Sequence, residues 1–261
     1  MMNTENKDTN ELTSKVGRYE FFAMPFHCDF NDRLMIGHLG NYMLNAADFH
    51  SRDRGFGFDY LFAIDRAWVL SRVSIEVLEM PKAYDKFYIE TWVESAMKYF
   101  TRRNFRVVSL DGSTVYAYGR SIWAMINTKT RHPENILDVR EGKIMDYIET
   151  NKLCDMEDVS RVIIKNDVEK VRTIGTYYSD LDINGHVNSV KYIEHILDLF
   201  PLSLYSDKKI KRLDIAYVAE AHCGDDLNFY VAKENEANLI KVTRNSGDEE
   251  VEVCRGRLIF V

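Results

Sequence analysis

The chain has 261 residues, 46% hydrophobic and 29% charged, enough for one large or two ordinary domains with a buried core. A net charge of −7 supplies no basic face for nucleic acid, and no run approaches the ~18 apolar residues of a membrane-crossing helix. Cys28, Cys154, Cys223 and Cys254 form no C-x-x-C pair or disulfide framework and read as reduced thiols.

Residues 1–15 lack the apolar core of a signal peptide and the Arg-rich composition of a transit peptide, so they read as a disordered tail on a cytoplasmic protein. Asn41 is placed to cap a helix that runs to about Arg54 and ends at GFGF. Fifteen Tyr and fourteen Phe against four Pro favour sheet, and strands are predicted over 68–79, 86–95, 98–109 and 114–127, with a hairpin turn at Asp111-Gly112. Residues 133–161 read as a connecting helix plus loop. A second helix starts at Asn188, carries Ile193, Ile196, Leu197 and Phe200 at i, i+3, i+4, i+7, and is stopped by Pro201. Strands follow over 209–220, 226–233, 237–245 and 250–261, turning at 245–248.

The chain states this pattern twice. Gly37-His38 recurs as Gly185-His186, SRVSIEV from Ser71 as KRLDIAY from Lys211, and YGRSIWAM from Tyr118 as RGRLIFV from Arg255, in the same order at slowly shrinking separation. A helix followed by antiparallel strands, twice over, predicts an α+β protein with a sheet wrapped around a central helix in each half. The divisions expected are 16–132, a linker at 133–165, and 166–261.

The chemistry gathers at DINGHVN, where Asp182, Asn184 and His186 fall at every second position just before a helix. Alone, such a run reads as an Asx turn feeding a helix cap. EAHC, with Glu220, His222 and Cys223, brings metal ligands to mind, but no further cluster completes a coordination shell and no metal is expected.

DLDINGHVNSVKYIEHIL and YVAEAHCGD together resemble the signatures of the fatty acyl-acyl-carrier-protein thioesterases of plants and bacteria, built of two tandem hot-dog domains. The resemblance implies that Asp182, Asn184, His186 and Glu220 are catalytic, that Asn188 belongs to the same motif at the substrate, and that no cofactor is needed. It implies an acyl carrier protein as partner; a homodimer is compatible with the sequence. Plant members often have a Cys after the Glu, whereas this chain has Ala221. Cys223 stands two positions further on, the same face if the strand continues. Hydrolysis needs a positioned water, a base and donors aimed at the carbonyl oxygen. His186 and Glu220 supply base and water positioning, and Asn184 places the water or the carbonyl. Donors come from the helix start near Val187 to Ser189, and Asp182 holds Asn184 or His186 in orientation.

Leu34 and Ile36 stand in the first copy where Asp182 and Asn184 stand in the second, so His38 reads as a packed histidine and the first copy as an acyl-binding wall. Wall candidates are Met43, Ala46, Ala47, Trp68, Leu70 and Val73. Lys208, Lys209, Lys211 and Arg212, with Arg102, Arg103 and Arg106, are candidates for docking an acidic carrier. Two alternatives stay open: an acyl-CoA thioesterase of the same fold and a non-catalytic acyl sensor; a hot-dog dehydratase also uses His with a carboxylate, but its pattern does not look like this Asn-rich one.

Overall fold

The computed structural model describes residues 13–164 and 168–261. Most of the tail expected at 1–15 and the boundary expected at 165/166 lie outside them. The first half comprises β1 (Val16–Phe22), α1 (Ile36–Asp53), α2 (Phe58–Ala63), β2 (Arg66–Val77), β3 (Lys86–Ala96), β4 (Phe100–Ser109) and β5 (Val115–Asn127). The second comprises β6 (Glu169–Gly175), α3 (Ser189–Leu197), α4 (Leu202–Asp207), β7 (Ile210–Tyr217), β8 (Asp226–Glu234), β9 (Ala237–Ser246) and β10 (Glu249–Phe260).

Alternation builds the strands: in β3, Phe87, Ile89 and Thr91 are buried while Tyr88 and Glu90 are partly exposed. All ten strands join one antiparallel sheet in the order β1-β3-β4-β5-β2-β7-β10-β9-β8-β6, which is its own mirror under the repeat. A pseudo-dyad therefore passes between β2 and β7. Ser74 and Asp214, equivalent in the repeat, pair across it, and the Ser74 hydroxyl donates to Asp214 Oδ1 at 2.5 Å. The result is the double hot-dog α+β fold, with α1 and α3 as central helices meeting between the halves. A Cβ on Gly37 would lie 3.3 Å from Glu194 Cγ, so this glycine permits the close approach.

Several local expectations change. Asn41 does not cap α1, which begins at Ile36 after Met35, without a side-chain cap. Gly37-His38 therefore lies inside the helix, whereas Gly185-His186 lies before one. Among the described residues the linker holds no α-helix. Its helical turns, Ile136–Tyr147, are 3-10 and broken by left-handed Arg140, Glu141 and Gly142, matching an apolar pattern too weak for a helix face. β6 escaped prediction because it is a largely exposed edge strand without apolar alternation.

Candidate active site

The Asp182 carboxylate folds the motif. Its Oδ1 accepts from the Asn184 N–H at 2.8 Å and the His186 N–H at 3.2 Å, and Gly185 turns the chain at φ +78°. Asp182 thus fixes the backbones of Asn184 and His186. The turn delivers His186 beside Glu220, with Nε2 and Oε2 3.4 Å apart, and both are partly exposed. The Glu220 side chain is also held by Arg131, which reaches over from the turn after β5, and its carbonyl accepts from Arg244 Nε at 2.9 Å. Arg131 has φ +62° in a short turn, and no sequence motif marked it.

Donors at the helix start are largely occupied, contrary to expectation. The Val187 N–H binds Ala221 O, the Asn188 N–H binds Asp180 O, and the Val190 N–H binds the Asn188 side chain, which caps α3. From Val187 to Ser189, only the Ser189 N–H is left without a partner among the described residues. Asn188 uses its side-chain oxygen in the cap and borders neither cavity described below.

The chain leaves β7 at Tyr217, so Glu220, Ala221 and Cys223 do not continue a strand. Ala221 is fully buried and Cys223 exposed, which removes the shared face assumed for them. His186, Glu220 and His222 bring potential ligand atoms within 4.8 Å of one another; Cys223 is not among them.

Asn184 opens on a cavity of about 170 Å³ in the first half, between α1, α2, β2 and the linker. Ala47 and Trp68 line it, as do Trp123, Ile144 and Tyr147. Met43, Ala46, Leu70 and Val73 do not: they are packed in the main core between helices and sheet. His38 stacks on His27 at 4.0 Å and borders a second cavity of about 840 Å³, which shares no lining residue with the first.

The docking candidates separate. Arg212 is 4% exposed and bonds Asp214, Glu76 and the Asp158 carbonyl; it compensates a buried carboxylate and presents no surface. Arg103 is buried on the inward face of β4. Arg102 pairs with Asp158 at 3.2 Å and Arg106 with Glu90 at 3.5 Å. Lys208, Lys209 and Lys211 are exposed, but Lys208 and Lys209 border the second cavity. A carrier seated there would meet a cavity that shares no lining residue with the one that reaches Asn184.

Residues 18–141 match the family described as acyl-ACP thioesterase N-terminal domain, and residues 164–257 the corresponding C-terminal domain. The chain belongs to the acyl-ACP thioesterase family. It is similar to the crystal structure of an acyl-ACP thioesterase from Bacteroides thetaiotaomicron, with 48% identity and a TM-score of 0.86 over 95% of this chain and 98% of that one. The 12:0-ACP thioesterase from Umbellularia californica shares the fold at 22% identity and a TM-score of 0.82, over 96% of this chain and 99% of that one. A chloroplastic palmitoyl-acyl carrier protein thioesterase from Arabidopsis thaliana is 32% identical over 66% of this chain, and that alignment takes in 42% of the relative's length. The chain thus spans under half of this curated relative. No helix among the described residues is long and apolar enough to cross a membrane.

Proposed function

We propose that this protein hydrolyses the thioester of a fatty acyl group on acyl carrier protein, releasing free fatty acid and the carrier's pantetheine thiol. The observation that carries this reading is the meeting of His186 and Glu220, from separate segments, beside an Asn184 that opens on an apolar-walled cavity. The acyl chain lies in that cavity with the thioester carbon at its Asn184 end. The Asn184 amide donates to the carbonyl oxygen as charge develops there, because the N–H groups of Val187, Asn188 and Val190 are already bonded within the protein. The His186–Glu220 pair takes one proton from water as its oxygen attacks the carbonyl carbon. The carbon–sulfur bond then breaks, and the proton returns to the departing sulfur. Arg131 orients the Glu220 carboxylate through a charge-assisted bond. The setting proposed is the cytoplasm, in keeping with four free thiols.

A single turnover in ¹⁸O-labelled water tests the chemistry. Direct water attack places one label in the released acid, whereas label appearing in Glu220 would require an acyl–enzyme anhydride and refute the base role. Running the same acyl chain on carrier protein and on CoA tests the partner: a higher kcat/KM on the carrier is expected, and equal or lower values would favour CoA.

A further inference from the structure

The cavity beside Asn184 is not lined as a plain hydrocarbon chain requires. Amid its aromatic and aliphatic walls stand three arginines: Arg66, which is paired with Glu134, and Arg54 and Arg103, which are only 6% and 7% exposed. Arg103 bonds one hydroxyl, Thr91 Oγ1, at 3.1 Å. Arg54 bonds the carbonyls of His50 and Ser14, and its Nε is buried without a partner among the described residues. Neither Arg54 nor Arg103 forms an ion pair with a carboxylate among the described residues. Asp48, on the same wall, makes none either, and burial raises its pKa. His50 is held neutral, since burial and then the two arginines push its pKa down to about 2. Burial pulls Arg103 down to about 9, and the Arg54 charge acts the same way, so the Arg103 guanidinium stays charged at neutral pH.

Buried guanidinium donors without acceptors are costly, and a methylene chain sliding past them brings none. An oxygen on the chain would satisfy them. We propose that this cavity is a subsite for oxygenated acyl chains, in which Arg103 and Arg54 bind a hydroxyl or carboxylate oxygen on the buried part of the substrate. The two arginines are then specificity determinants, separate from the groups that act on the thioester. An alkyl chain of equal length enters but leaves the donors unmet. The kinetic form of this inference rests on the hydrolase reading above; the binding form does not.

The experiment compares carrier thioesters of equal carbon number whose chains are plain, hydroxylated at successive positions, or carboxylated at the far end. The wild type should favour at least one oxygenated series by ~10- to 100-fold in kcat/KM, the range for a hydrogen bond to a charged group. Which series wins names the oxygen. Arg103→Met, checked for folding by circular dichroism, should erase the preference, and Arg103→Lys should restore part of it. A wild type that favours plain chains overturns the proposal without any variant, and so does a preference that survives in Arg103→Met. In parallel, displacement of a fluorescent fatty acid by the plain, hydroxylated and dicarboxylic free acids reads binding alone. If no thioester is hydrolysed, the hydrolase reading fails and displacement decides: tighter binding of an oxygenated acid supports the subsite, and equal or weaker binding overturns it.

Discussion

Replacing Ala47 with Phe should shorten the acyl chain the enzyme prefers. Ala47 lines the cavity that opens at Asn184, so the added ring projects into space the chain would fill. Each methylene kept out forfeits about 0.8 kcal/mol of burial, roughly a factor of four in kcat/KM. A ring that displaces about three methylenes lowers kcat/KM for the longest chains by roughly 60-fold. Chains too short to reach Ala47 should be hydrolysed as before, because His186 and Glu220 are not part of the cavity wall. Ala46→Phe is the control. Ala46 is fully buried in the main core and does not line the cavity, so overpacking there should lower stability by about 1–3 kcal/mol and leave the profile alone. Both variants are assayed on a ladder of acyl-carrier thioesters, with urea unfolding as the stability measure. An unchanged profile in Ala47→Phe, or a shortened one in Ala46→Phe alone, would place the chain elsewhere.

Arg131→Ala should lower kcat by roughly 10- to 100-fold by freeing the Glu220 carboxylate; unchanged kcat would assign Arg131 no part in orienting it. Cys223→Ser should remain fully active, and mass spectrometry should find no acyl group on Cys223. Arg212→Ala should destabilise the fold by about 3–5 kcal/mol, because Asp214 is left buried with its main partner gone, and a merely weaker carrier affinity at full stability would contradict that role. Acid should weaken the fold through His50, whose pKa is pushed to about 2 against 6.5 for the free side chain. Below pH 6.5 the unfolded chain binds a proton that the folded one refuses, so stability falls at up to ~1.4 kcal/mol per pH unit. Urea unfolding from pH 7 to 5 should show the slope, and His50→Phe should flatten it.

The duplication and the interior strands were legible because alternation survives wherever one face of a strand is buried. β6 was not, since an exposed edge carries no such pattern. The motif from Asp182 to Asn188 was legible as a turn into a helix, but which N–H groups remained free depended on the Ala221 and Asp180 carbonyls brought in by tertiary structure. Arg131 was invisible because its partner Glu220 lies in the other half of the chain. Ala47 and Trp68 line the cavity as expected, but the rest of its wall was not legible, for a physical reason. Apolar side chains on α1, such as Met43 and Ala46, mark the stripe that packs on the sheet, whereas the neighbouring stripe facing the cavity carries Asp48 and Ser51. Strand parity alone separated Arg103 from Arg102 and Arg106: successive residues face opposite sides, and Arg103 faces in.

The most direct measurement is the release of free thiol from an acyl-carrier thioester by the wild type, His186→Ala and Glu220→Gln, with thermal unfolding recorded for each. The wild type should release thiol and acid in equal amounts, and each variant should fall by roughly 10² to 10⁴ while remaining folded. A folded His186→Ala protein that turns over near the wild-type rate would contradict the assignment of this site.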